Sequence, residues 1–554
     1  MAGKGLQIPA TTHDSWRVWR RAGQRIACAA VQNGQRRDVV VTGDPLRLDD
    51  VIDVAQGRAR AVLGPGVAER MAPSREVVRE AVAEGRVMYG ITTGFGALAN
   101  TRIAAEDLEA MQLALLRSHA AAVGEPLPDE VVRALLLLRA RTLTVGLSGV
   151  RTELPARLLQ LLDLGLLPVV PDKGSVGASG DLAQLAHLAL PLVGEGRLRR
   201  AGDDDLNGRP AAEVLAEHGI EPLVLAPKEG LSLINGTEPM QAMLALALHE
   251  CRLLVRVADL ACAMSLDALL GTDRAYDARV IDIRPHPGQL DSADNMRRLL
   301  AGSGLLASHR HDTEHAVQDS YALRCAPQVH GAARDVMAQA ERVLGIELGS
   351  VVDNPVIVPR LDGDGFEVMS TGNFHGEPLA FSADAVAMAV SELGSISERR
   401  TDRMLDPAFS RGLPPFLAPA AGTNSGYMIA QYTAASLVTE NKVLAHPSSV
   451  DTIPTSGNQE DHVSMGWTSM RKLRQVVANV KSVLTVEIVC ACQGIDLRES
   501  IAAPSAAVGA AHAVVRAQVP RMDVDREVSE QLRSVEDMLP ALVDAVEGVI
   551  GPWR

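Results

Sequence analysis

KGSVGASGDLAQLAH, residues 173–187, sets three glycines (Gly174, Gly177 and Gly180) around Ala178 and Ser179. It follows the proline-bounded LGLLPVVPDK (164–173) and leads into an apolar helical pattern that starts near Leu182. Read plainly, it is a loop entering a helix, with Asp181 or Ser179 as the N-cap. The same residues also permit a backbone reaction. In a tight turn the amide nitrogen of Gly180 can reach the carbonyl carbon of Ala178, because glycine has no Cβ to block the approach. Loss of water from the new ring, and of a second water from the Ser179 side chain, leaves a methylidene-imidazolone. That is a neutral carbon electrophile, which none of the twenty side chains supplies. An isolated Ala-Ser-Gly carries little weight, so the reading depends on its surroundings.

Outward from this loop, helical periodicity dominates from about residue 45. In EDLEAMQLALLRSHAAAV (106–123), Leu108, Met111, Leu115 and Leu116 recur at i, i+3, i+7 and i+8, with Gln112 interrupting the stripe. Similar patterns run through 130–165, 181–194, 237–270, 328–346, 379–405, 426–445 and 469–494. Several are alanine-rich throughout, as in AVAMAVSELGSISE (385–398), which predicts helices buried on most sides in a bundle or against another subunit. Gly, Pro, Asn and Asp clusters at 171–181, 271–277, 283–291, 351–359 and 446–461 read as loops, where chemistry tends to sit. Strand signal is confined to short pieces such as VVVTG (39–43) and FEVMS (366–370).

Composition bounds the function. The chain has 554 residues, 47% hydrophobic, with only 3% aromatic and a net charge of −14. An acidic balance argues against a nucleic-acid surface, which needs clustered Lys and Arg. The six cysteines are scattered with no C-x-x-C, which suits a reducing cytosol and neither a disulfide framework nor a zinc ribbon. No uninterrupted apolar run reaches the ~18 residues of a membrane span; the richest, VVRALLLLRARTLTVGL (131–147), carries Arg133, Arg139 and Arg141. The expectation is a cytoplasmic enzyme without membrane or nucleic-acid partners. Residues 1–37 are basic and acid-poor and hold two of the four tryptophans. They read as a poorly ordered extension or a misplaced start rather than a transit peptide.

Two further motifs are weak. HDTEH (311–315) has the H-x-x-E-H spacing of inverted zinc proteases, but its surroundings are polar and no third ligand is evident. GITTGFG (90–96) has neither the dinucleotide nor the P-loop spacing. No metal site is expected.

The loop 173–187 gains its weight from company. KGSVGASGDLAQLAH resembles the prosthetic-group signature of the aromatic amino acid ammonia-lyases and aminomutases. Further matches follow in family order: MYGITTGFG (88–96), SHAAAVG (118–124), LINGT (233–237), QDSYALRCAPQ (318–328), DNP (353–355), GNFHGEP (372–378) and NQEDHVSM (458–465). The resemblance spans roughly residues 45–500. It implies a mainly α, ammonia-lyase/fumarase-like fold, with a long central helix bundle and a small mixed N-terminal region. The expected division is 1–37 as extension, 38–150 carrying Tyr89 and His119, 151–500 as the central bundle with the loop 174–181, and 501–554 as a helical C-terminal segment.

Ammonia elimination from an amino acid faces a poor leaving group and a barely acidic β-hydrogen. A covalent electrophile meets the first obstacle and a base on the β-carbon meets the second. The resemblance assigns the electrophile to Ala178, Ser179 and Gly180, the amine protons to Tyr89 and the β-carbon base to Tyr321. A phenol is a weak base at neutral pH, so such a base needs positive surroundings. Arg324 is implied to clamp the substrate carboxylate. If helical, Gln318, Tyr321 and Arg324 share one wall. Asn235 and Phe374 are implied to bind substrate polar groups and to shield the ring. Ser118-His119 and Glu460 match the histidine-specific members, and an imidazole offers a donor and an acceptor that His119 and Glu460 can pair. The implied reaction is non-oxidative deamination of L-histidine to trans-urocanate, without metal or diffusible cofactor, in a homotetramer whose sites draw on several subunits. An aromatic amino acid 2,3-aminomutase and a tyrosine ammonia-lyase remain the alternatives. Two departures stand out: Gln184, where the family signature reads GDLAP, and Glu238 after NGT, where Gln is usual.

Overall fold

The computed structural model describes residues 36–94, 102–178, 180–312, 318–363 and 365–554. Residues 1–35 of the expected extension, Ser179, and 313–315 of HDTEH lie outside the described residues. Helix predominates, as the periodicity predicts, and the chain divides into two compact units.

The first unit comprises Met1–Ala245, Gly345–Glu377 and Asp451–Thr468. The strand expected at 39–43 is Arg37–Val41, paired in parallel with Ala59–Leu63 across the Leu48–Ala55 helix. Central to this unit is the Asp129–Thr144 helix, in which nearly every residue is buried. Its three arginines are buried too, and each has partners. Arg133 donates to Val54 O at 3.0 Å. Arg141 donates to Gly43 O and Gly349 O at 2.8 and 2.6 Å. Arg139 meets Glu238 at 2.9 Å. Ahead of the glycine loop, Pro171–Lys173 pairs antiparallel with Val123–Pro126, which fixes where the loop begins. A hairpin of Val356–Pro359 and Phe366–Met369 contains the second expected strand and turns part of the predicted 351–359 loop into sheet.

The second unit comprises Leu246–Leu344, Pro378–Val450 and Ser469–Arg554, and its described elements are all helical. Long helices at Glu238–Ala268, Ala326–Glu347, Glu377–Leu405, Met428–Leu444 and Gly466–Asp496 follow the periodic stretches closely. The stretch 283–291 departs from the predicted loop: a helix begins at Pro287 and runs to Leu300. Proline's fixed φ suits the first turn of a helix, where its missing N–H would have no partner. Glu377–Leu405 and Gly466–Asp496 are long and apolar enough to cross a membrane, yet 61% and 72% of their apolar windows are buried within the protein. Each also carries a fully buried charge. Arg400 and Glu487 form a bidentate pair, with Nη2 to Oε2 at 2.8 Å, and Ser265 donates to Glu487 Oε1 at 2.6 Å. Three long helices are thereby joined through one carboxylate.

Removing one partner of a buried pair leaves the other charge without compensation. Glu487→Gln should cost about 3–5 kcal/mol of unfolding free energy, measured by denaturant titration. A loss below about 1 kcal/mol would mean that the bundle does not rely on this pair.

Candidate active site

The glycine loop is a backbone-on-backbone contact. Gly177 and Gly180 have φ of +71° and +73°, the left-handed region that other residues avoid. Gly180 forms a parallel bridge with Gly236, and Asp181 N donates to Gly236 O at 2.9 Å. A Cβ on Gly180 would lie 1.9 Å from Gly236 O, so no side chain fits there. Gly177 is held from two further segments: Ser464 Oγ and Gly376 N both donate to its carbonyl, at 2.8 and 3.1 Å. Gly376 is itself constrained, because a Cβ there would meet Met240 Cε at 2.3 Å.

Asp181 occupies the N-cap position of the Leu182–Ala189 helix, but its side chain does not cap it. The carboxylate turns instead to Ser175 Oγ at 2.5 Å and Met240 N at 3.1 Å, tying the loop to the start of the Glu238–Ala268 helix. Burial pushes this carboxyl up to about 7, the two donors oppose the rise, and the charge of Glu238 adds to it. Glu238, one of the departures from the family pattern, is fully buried against Arg139. Arg139 also donates to Asn235 O at 3.0 Å, so the pair underlies the turn that carries Gly236. The other departure, Gln184, is buried, and its Nε2 makes a long 3.4 Å contact with Pro171 O.

The remaining candidates in this unit sit on short, well-anchored segments. Tyr89 lies in a turn closed by Met88 N to Thr92 Oγ1 and Gly90 N to Thr93 Oγ1, at 2.9 and 3.3 Å. His119 ends the Leu108–His119 helix, with its Nδ1 2.9 Å from Leu115 O. A carbonyl only accepts, so Nδ1 carries the hydrogen and Nε2 is the atom left for a ligand. Asn235 is buried and donates from Nδ2 to Asn354 O at 3.0 Å, while its Oδ1 has no hydrogen-bond partner among the described residues. Phe374 precedes the docked Gly376 by two residues. Glu460 closes a turn with Thr455, whose hydroxyl donates to its carboxylate at 3.1 Å.

Three candidates belong to the second unit. Tyr321–Arg324 forms a single helical turn, with Ser320 at the N-cap. Gln318 lies before that turn, so the helical wall expected for all three includes only two of them. Asp319 holds the approach by accepting from Thr272 N and Arg411, at 2.7 and 2.8 Å. Tyr321 is 71% exposed, and the Arg324 guanidinium stands 4.6 Å over its ring. Arg324 Nε is buried without a hydrogen-bond partner among the described residues.

Comparison with known proteins identifies the family. The profile of the family described as aromatic amino acid lyase matches residues 46–517. The chain belongs to that family. A histidine ammonia-lyase of Deinococcus radiodurans is 52% identical over 481 residues, covering 87% of this chain and 90% of the relative. Among solved structures, histidine ammonia-lyase from Trypanosoma cruzi superposes with a TM-score of 0.84 at 40% identity, covering 93% of this chain and 95% of its own. Tyrosine aminomutase from Streptomyces globisporus gives 0.87 at 36% identity, covering 93% and 100%.

Arg139, Ser175 and Ser464 are not among the site residues expected from the sequence. The one available signal for Arg139 was a charge standing inside an apolar run. Ser464 gave none, since a serine bonded across 287 positions looks like any loop serine.

Asp181 makes a testable prediction. A carboxyl that ionises near 7 when folded and at 3.8 otherwise holds its proton better in the folded state. Its contribution favours folding below the lower value and fades as pH rises towards the higher one. Stability should fall from about pH 4 to about pH 7 more steeply in the parent protein than in Asp181→Asn, read as Tm against pH. Parallel profiles would show that Asp181 is ionised throughout.

Proposed function

We propose that the protein is a carbon–nitrogen lyase that converts L-histidine to trans-urocanate and ammonia in the cytoplasm. The observation that carries this reading is 52% identity over most of the chain to a histidine ammonia-lyase. It is joined by His119 and Glu460, a pair suited to an imidazole and unsuited to a phenyl ring. A phenylalanine ring would bring Glu460 no hydrogen-bond donor, whereas an imidazole does.

The prosthetic group proposed is a 4-methylidene-imidazol-5-one made from Ala178, Ser179 and Gly180. The surroundings fit it. Gly180 sits where no Cβ is accommodated, Ala178 is buried, and Asn235 presents a buried oxygen in need of a donor. Once formed, the group supplies an electrophilic carbon for the substrate amine, with no metal or diffusible cofactor required. The chain's own residues do the rest. Arg324 pairs the substrate carboxylate, and its unpartnered Nε has capacity for it. Tyr321 takes the β-proton, with the Arg324 guanidinium standing 4.6 Å over its ring. Tyr89 carries protons to and from the amine, Gln318 and Asn235 hold substrate polar groups, and Phe374 shields the ring. His119 and Glu460 orient the imidazole.

The working form proposed is a homotetramer, with Tyr89 and Tyr321 of each site contributed by different chains. Phe381, Met388, Ile429, Tyr432 and Val443 are exposed on the Glu377–Leu405 and Met428–Leu444 helices, an apolar surface of the kind subunits cover. An aminomutase that returns ammonia to the β-carbon is the second reading, favoured by the tyrosine aminomutase neighbour. A β-amino acid among the products would establish it.

Two measurements test the proposal. Intact mass should read two waters below the encoded chain, and Ser179→Ala should abolish both that deficit and histidine turnover; active protein of full mass would refute the mechanism. Steady-state assays should show histidine strongly preferred over phenylalanine and tyrosine. For the shared site, Tyr89→Phe and Tyr321→Phe should each be nearly inactive, yet regain activity when unfolded and refolded together. Mixtures as inactive as their components would place both tyrosines of a site in one chain.

A further inference from the structure

Beside the glycine loop lies a cluster that the proposed reaction does not use. His375, Glu377 and His462 each offer one ligand atom, and the three atoms lie within 4.8 Å of one another. The two imidazoles are stacked, with centroids 5.8 Å apart and an interplanar angle of 10°. His375 Nδ1 is 4.0 Å from Glu377 Oε2.

Three features distinguish this cluster from a chance meeting of polar side chains. Its ring orientation is fixed: His375 Nε2 lies 3.1 Å from His462 O, so it must carry the hydrogen, and Nδ1 is the bare nitrogen facing Glu377. Metal-bound histidines are held in this way, with the far nitrogen donating to a carbonyl. Among the described residues, the Glu377 amide alone engages Nδ1, at a long 3.4 Å. Glu377 Oε2 is a buried oxygen with no hydrogen-bond partner among them. The backbone beneath is also preset, because Gly376 and Ser464 dock on the same Gly177 carbonyl and so bring the two ligand-bearing segments together.

We propose that His375, Glu377 and His462 form a binding site for a divalent transition cation of the zinc class. Two imidazoles and one carboxylate are the donor set of an open tetrahedral site, in which water takes the fourth position. Bonds of about 2.0–2.2 Å require the donors to close in by roughly an ångström, within reach of side-chain rotation. The site is separate from the electrophile and from the histidine reading, so it stands or falls independently of them. With His375 next to Phe374 and His462 two residues after Glu460, it is a means of stiffening the segments that bear them.

The test is a titration of metal-stripped, untagged full-length protein with Zn(II), followed by calorimetry, and with Co(II), followed by visible absorption. One Zn(II) per chain should bind, and Co(II) should give the intense bands of a four- or five-coordinate site. His375→Ala, His462→Ala and Glu377→Gln should each weaken Zn(II) binding at least tenfold, with circular dichroism and Tm confirming that they fold. Glu377→Asp should retain part of the affinity. Absence of stoichiometric binding would overturn the proposal. So would a weak six-coordinate Co(II) spectrum, or folded variants that bind as tightly as the parent protein.

Discussion

No side chain fits at Gly180, and much of the first unit is arranged around that exclusion. The carbonyl of Gly236 stands 1.9 Å from where a Cβ would lie. Two backbone segments more than fifty residues apart are therefore in direct contact. What surrounds the contact keeps it closed: Asp181 reaches to Met240, Arg139 holds the Asn235 carbonyl, and Gly177 is pinned by Ser464 and Gly376. A ring closure between residues 178 and 180 needs a nitrogen pressed towards a carbonyl two residues back. A turn crowded from several directions supplies that more reliably than a free loop, since the entropy of reaching the bent state has already been spent in folding.

The anchoring groups are charged or hydroxylic where apolar residues would fill the space with less desolvation cost. Arg139–Glu238, Lys228–Asp353 and Arg400–Glu487 are all pairs with no exposure at either partner. Buried pairs of this kind contribute little net stability against an apolar replacement, but they penalise any packing that separates them. That trade suits helices whose alanine-rich faces could slide past one another with little change in buried area. Glu238 in place of the usual Gln shows the same logic locally. A carboxylate there gives Arg139 its counter-ion while setting a negative charge near Asp181, whose proton is held more firmly as a result.

Helices were the most legible feature. A 237–270 period became Glu238–Ala268, and 469–494 became Gly466–Asp496, because an apolar stripe and its helix are the same local fact. The helix from Pro287 was hidden by its own composition: Pro, His, Pro and Gly in five residues read as a turn, although proline is at home in a first helical turn. Motifs located the segments around Ala178, Asn235, Phe374 and Glu460, but not the bonds between them. Arg139 to Glu238 spans 99 positions and Ser464 to Gly177 spans 287, and nothing local in a sequence announces such pairings. The His375, Glu377 and His462 cluster was invisible for the same reason, its members belonging to two motifs read separately.

Proton counting sharpens what the proposed imidazole subsite would accept. The Leu115 carbonyl obliges His119 Nδ1 to carry a hydrogen, so towards a ligand Nε2 offers a lone pair when the ring is neutral and an N–H when it is cationic. Glu460, already accepting from the Thr455 hydroxyl, offers oxygens alone while ionised. A ring suspended between the two by two hydrogen bonds needs two protons, and a neutral imidazole brings one. The second must reside either on the substrate ring or on His119, which places one positive charge opposite the Glu460 carboxylate and makes the trio neutral. Phenylalanine brings no such proton and tyrosine only one, at the wrong end of a longer ring. Discrimination in this scheme comes from charge that only an imidazole can complete, which is a larger penalty to a competitor than any difference in shape.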